Sequence, residues 1–181
     1  MKRRVVFIQG AGQEGFEEDR KLATSLQDVL GPEYDVRYPE MPDADSPEYE
    51  AWKGRIAREL AALDGEVILV GHSLGGSILL KYLSEVKLEK PVVGLFIIAA
   101  PYWGAENWEV NEYALQDGFA SKLPGELPVF LYHSRDDQVV PFAHLALYTE
   151  KLAHATFREF DGRGHQFNDD LSEVAQDIKG L

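Results

Sequence analysis

The chain reads as an α/β protein built on a doubly wound, mostly parallel sheet of about six strands. Three observations predict this. Six short apolar runs rich in β-branched and aromatic residues recur along the chain, amphipathic stretches of helical spacing separate them, and no internal repeat or low-complexity segment interrupts the alternation. Most of the runs are continuous rather than alternating, as expected for strands covered on both faces.

The strand candidates are residues 5–8, 35–38, 67–70, 92–99, 129–132 and 156–160. Between them, Leu22, Leu26 and Val29 share one helical face, as do Trp52, Ile56, Leu60 and Leu63. Residues 142–152 read as a further helix, and Leu171, Val174, Ala175 and Ile178 fall at i, i+3, i+4 and i+7 near the end. Gly31 followed by Pro32 stops the first helix, and Asn168 or Asp169 is placed to cap the last. With 181 residues, one domain over 1–181 is expected, since a domain of this size buries roughly 70 % of its unfolded surface. Doubly wound sheets form their sites at the carboxyl ends of the strands. Functional residues must therefore be sought in loops that directly follow a strand.

Composition removes several functions. The net charge is −13, with 31 acidic against 18 basic residues, and this disfavours nucleic acid or an anionic membrane as partner. Nothing approaches the roughly 20 apolar residues of a membrane span, and the apolar start runs at once into Gly10-Ala11-Gly12 rather than forming a secretory signal. A cytoplasmic location is the expectation. Cysteine is absent, which rules out disulfides, thiolate metal sites and a cysteine nucleophile.

The strongest chemical signal is Gly71-His72-Ser73-Leu74-Gly75, a G-x-S-x-G pattern. It follows a buried strand and opens an apolar stretch (Ile78, Leu79, Leu80, Leu83) that reads as a helix against the sheet. Such a strand–turn–helix elbow presents Ser73 at a helix N-terminus, where backbone N–H groups favour developing negative charge. A serine hydroxyl needs a base. Of the five histidines, His72 is locked beside Ser73, while His133, His144 and His154 sit on a strand end or in or after a probable helix. His165 lies in Asp161-Gly-Arg-Gly-His-Gln166, between the last strand and the last helix. It is the candidate base. Asp136 and Asp137, just after another strand, are the two candidates for the carboxylate that orients it.

Acyl transfer also requires donors for the oxyanion. The N–H of Leu74 follows the nucleophile directly, and the glycine loop after the first strand supplies a second, for which Ala11 is chosen. Gly10-Ala-Gly-Gln-Glu-Gly15 also spells G-x-G-x-x-G, but Glu14, Glu17, Glu18 and Asp19 surround it and oppose a pyrophosphate. No cofactor is expected. No second histidine stands at a ligand spacing from His165, so no metal is expected either.

These marks resemble the small single-domain members of the α/β-hydrolase superfamily. They are the glycine loop, the G-H-S-L-G-G elbow, D-x-V-V-P after a late strand and a G-H near the end, and together they cover residues 5–167 in order. The resemblance implies Asp137, which heads D-x-V-V-P, as the catalytic acid, and an all-parallel sheet of about six strands because the first strands of larger members are missing. The chain departs from the pattern in its first loop, where the common His-Gly is Gln9-Gly10. The implied activity is hydrolysis of a small carboxylic ester or related acyl bond through a Ser73 acyl-enzyme, with a small acyl molecule as partner. A thioesterase or amidase with the same triad, or a binding protein that kept the fold and lost turnover, are the alternatives.

Residues 101–123 carry Tyr102, Trp103, Trp108, Tyr113 and Phe119 without clear periodicity. They form either a short cap in which Trp103, Trp108 and Phe119 contact substrate, or rings that finish the core at a sheet edge.

Overall fold

The computed structural model describes residues 2–181. Six strands form one sheet: β1 (Arg3–Ile8), β2 (Tyr34–Arg37), β3 (Val67–His72), β4 (Val92–Ile98), β5 (Val129–Ser134) and β6 (Thr156–Phe160). Their order is β2-β1-β3-β4-β5-β6, and every neighbouring pair is parallel. Four helices connect strands, α1 (Gly15–Leu30), α2 (Tyr49–Ala61), α3 (Leu74–Glu85) and α4 (Ala143–Lys151), while α5 (Ser172–Lys179) follows β6 and a segment with a single 3₁₀ turn joins β4 to β5.

The pleat divides the core in two. Along β1, Val5 and Phe7 join Leu22 and Leu26 of α1 and Val174 and Ile178 of α5 on one face. Val6 and Ile8 point the other way, to Trp52 and Ile56 of α2, Ile78 and Leu79 of α3, and Leu145 of α4. Each fully buried Leu, Ile or Phe contributes about 1.5–3 kcal/mol over leaving it in water. Helix α3 differs from the others in having almost no exposed side, because it lies between the sheet and the segment that follows β4.

Two local expectations change. Neither Asn168 nor Asp169 caps the last helix; both have positive φ in a short turn, and Asp170 Oδ1 accepts from the Ser172 N–H instead (2.9 Å). The turn brings Phe167 into the core, and the helix N-cap moves on to Leu171. The first helix does stop at Gly31, with φ 84°. Among the described residues no helix is long and apolar enough to cross a membrane.

The order of strands places the site. The chain leaves β1 to pair β2 on one side, then returns to lay β3 on the other. The crevice between the carboxyl ends of β1 and β3 is thus the switch point where doubly wound sheets bind ligands. Gly10 and Ser73 emerge on its two sides.

Candidate active site

Ser73 sits between β3 and α3 with φ 51° and ψ −124°, a strained conformation for a residue with a side chain. Its glycine neighbours make that turn possible. A Cβ on Gly71 would meet the Gly76 backbone nitrogen at 2.7 Å, and one on Gly75 would meet the carbonyl oxygens of Ile8 and Gln9 at 2.4 Å. The elbow is therefore pressed directly against the end of β1. The Ser73 N–H donates to the carbonyl of Ile98 (2.8 Å), which fixes the turn to β4.

Asp137 follows β5 and His165 follows β6, and the two meet at 2.8 Å between Nδ1 and Oδ2. The carboxylate is fully enclosed. Its Oδ1 accepts the N–H groups of Val139 and Val140 (2.8 Å each), and Oδ2 also receives His133 Nε2 at 3.2 Å. Burial alone would raise this carboxyl, but His133, His165 and the Val140 N–H hold it well below the usual carboxylate range. Burial lowers the His165 imidazole, an effect that the Asp137 hydrogen bond only partly offsets and that His72 reinforces. His165 is consequently neutral near pH 7. Its Nδ1 carries the proton toward Asp137, and its Nε2 is left as the basic nitrogen.

Asp136 is directed elsewhere: its carboxylate is exposed and accepts the Gly164 N–H (3.1 Å) and the Ser134 hydroxyl. Leu74 is the first residue of α3, so its N–H has no intrahelical acceptor. Ala11 lies across the crevice, exposed at the tip of its loop.

Ser73, Leu74, Ala11 and His165 line one cleft of about 370 Å³, and Trp103, Trp108, Tyr113, Pro47, Val139 and Val140 give it an apolar and aromatic wall. Trp108 packs edge-on against Trp103 at 5.1 Å and against His144 at 5.0 Å. His144, lowered by burial, is the neutral acceptor for the Tyr102 N–H (2.8 Å) and so ties this wall to α4. Phe119 departs from its expected place: it is 3 % exposed, packs in the core against α3, and does not line the cleft. A 3₁₀ turn over Phe119–Lys122 directs its ring inward. The segment is thus divided, with Trp103 and Trp108 lining the cleft and Phe119 in the core.

A family profile described as serine hydrolase matches residues 18–171. The chain belongs to that family. This hydrolase is also similar over 99 % of its length, at 19 % identity and a TM-score of 0.80, to 98 % of the ydeN gene product from B. subtilis. It covers 98 % of itself and 90 % of a serine hydrolase involved in carbazole degradation, the CarC enzyme, at 16 % identity and a TM-score of 0.76. Arabidopsis thaliana SOBER1 matches at 17 % identity and a TM-score of 0.71, with 99 % of both chains covered. At such identities these structures show the α/β-hydrolase fold alone. No curated protein sequence matches the hydrolase.

Two features of the site escaped the sequence reading. His133 supports Asp137 from behind, and Asp19, taken only as part of an acidic helix start, is 2 % exposed and bonded to His72 (2.9 Å). A signal for Asp19 exists. It falls on the stripe of α1 formed by Leu22, Ala23 and Leu26, whereas Glu17 and Glu18 point to solvent.

Proposed function

We propose that this hydrolase cleaves a small, uncharged carboxylic ester through a Ser73 acyl-enzyme. The observation that carries the reading is the contact of His165 Nδ1 with the enclosed Asp137 carboxylate (2.8 Å), on the wall of a cleft that Ser73 also lines. Nε2 takes the Ser73 proton as Oγ adds to the ester carbonyl, and the N–H groups of Leu74 and Ala11 receive the negative oxygen. Collapse breaks the bond to the alcohol oxygen, which leaves with the proton held by His165. Water then repeats the sequence: His165 takes its proton, the hydroxide adds to the acyl carbon, and Ser73 departs with that proton to release the acid.

The substrate class follows from the lining. Trp103, Trp108, Tyr113 and the two valines offer apolar and aromatic surface, and no Lys or Arg lines the cleft among the described residues. Glu18 stands at its rim. A carboxylate on the acyl group would be desolvated there beside Asp19 and Glu18, with His72 already bonded to Asp19 and the His165 carbonyl. Residues 101–123 then act as a short cap on a single domain, and a cytoplasmic ester is the reading that best suits the sequence.

The test is a fluorophosphonate probe followed by peptide mapping. Labelling confined to Ser73, lost together with esterase turnover in Ser73→Ala, is the expected result; k_cat falls on the order of 10⁴-fold or more. A Ser73→Ala protein that keeps wild-type turnover overturns the proposal.

A further inference from the structure

The hydrolase contains a second buried histidine–aspartate pair that the acyl-enzyme steps do not use. We propose that Asp19 and His72 are positioning residues, an ion pair that holds the three loops of the reacting groups in register. This rests on the acyl-enzyme reading above.

The contacts converge on one carboxylate. Asp19 Oδ2 accepts the Gly10 N–H (2.7 Å) and His72 Nδ1 (2.9 Å), and Oδ1 accepts Gln166 Nε2 (2.9 Å). His72 Nε2 then donates to the backbone carbonyl of His165 (2.9 Å). Each contact lies one residue from a group with a proposed role or on that residue itself. Gly10 precedes Ala11, His72 precedes Ser73, the carbonyl is that of His165, and Gln166 follows it.

Valence and surroundings together assign the charge of the pair. A carbonyl oxygen only accepts, so His72 Nε2 must carry a proton. Asp19 receives donors on both oxygens and is ionised, so Nδ1 donates as well. His72 with both nitrogens donating is an imidazolium. The surroundings agree with this: burial opposes charge on His72, yet Asp19 and the His165 carbonyl raise it above the ordinary histidine value. Burial likewise opposes charge on Asp19, and His72, Gln166 and Gly10 keep it below the ordinary carboxylate value.

A neutral His72 has a single N–H and could not donate to Asp19 and to the His165 carbonyl at once, so the link from α1 through His72 to the His165 loop would be broken. The His72 and His165 ring centroids are 4.8 Å apart.

The experiment measures k_cat per fluorophosphonate-titrated Ser73, on a neutral aryl ester, for wild type and Asp19→Asn. A merely structural role lowers the melting temperature and the number of titratable sites but leaves k_cat per site unchanged. The positioning role lowers k_cat per site by about 10- to 100-fold, with K_M within roughly threefold because the aromatic wall is untouched. The double variant Asp19→Asn/His72→Gln should lose no more than the worse single variant, as expected for residues acting as a unit. Wild-type k_cat per site in Asp19→Asn overturns the proposal. If that variant does not fold, Gln166→Met removes one tie alone and should lower k_cat per site a few-fold; an unchanged value there also overturns it. Wild-type protein that fails to label at Ser73 would sink the acyl-enzyme reading instead, so the two failures are distinguishable.

Discussion

The two histidine–aspartate pairs use the same residue types at nearly the same distance, 2.8 Å for His165–Asp137 and 2.9 Å for His72–Asp19, yet they hold opposite charge states. What separates them is the second ring nitrogen. In His72 it faces a backbone carbonyl, so the ring is locked as a double donor and is 2 % exposed. His165 lines the cleft, no hydrogen-bond partner is found for its Nε2 among the described residues, and burial favours the neutral ring, which can accept a proton. One pair is suited to hold a proton permanently and the other to exchange it. Environment assigns the roles, since the residue types alone are identical.

The largest effect should come from breaking the exchanging pair. Asp137→Asn is expected to preserve the fold but favour the wrong tautomer of His165, lowering k_cat about 10⁴-fold if the site follows the behaviour of the known serine triads. Asp136→Asn, assayed beside it, should lose only a few-fold, because its carboxylate bonds Ser134 and Gly164 and not the imidazole. A dead Asp136→Asn beside an active Asp137→Asn reverses the assignment.

A change in the aromatic wall touches neither pair and serves as their control. Trp108→Ala should alter the preference between short and long acyl chains by roughly 1–3 kcal/mol. It should leave the pH dependence of k_cat/K_M where it was. An altered melting temperature with an unaltered chain-length profile would return Trp108 to the core and remove the cap.

The smallest effect is also the sharpest measure of the difference between the pairs. Only neutral His165 accepts a proton, so k_cat/K_M should be full above its pKa and fall as pH drops through it. Burial lowers that pKa, so the midpoint should lie below the ordinary histidine value of about 6.5. His72 is raised above that value, so it is still protonated at the pH where His165 takes up its proton. A midpoint above about 7 would show that His165 is not the neutral ring described here.

Much of this molecule can be read from local pattern. Strand runs such as 156–160 and the stripe of Leu22 and Leu26 follow directly from periodicity, because side-chain direction in strands and helices repeats at fixed intervals. Ser73 and its glycines stand out for a similar reason: the elbow is a contiguous motif with its own backbone strain. His165 and Asp137 are recognisable through the motifs that contain them. Sequence alone places the start of the last helix at Asn168 or Asp169 and leaves the direction of Phe119 open, because several polar or aromatic residues compete for one place and packing chooses between them.

The sequence by itself determined the alternation of strand and helix, and with it a parallel sheet whose loops gather at one edge. It also determined which hydroxyl, imidazole and carboxylates those loops carry. Only the tertiary structure decided how they pair. Asp19 and His72 are separated by 53 residues and Asp137 and His165 by 28, and no periodicity relates residues at such distances. Whether a given imidazole becomes a fixed cation or a free base depends on what meets its second nitrogen. That partner arrives from another strand's loop, and only when the sheet has closed.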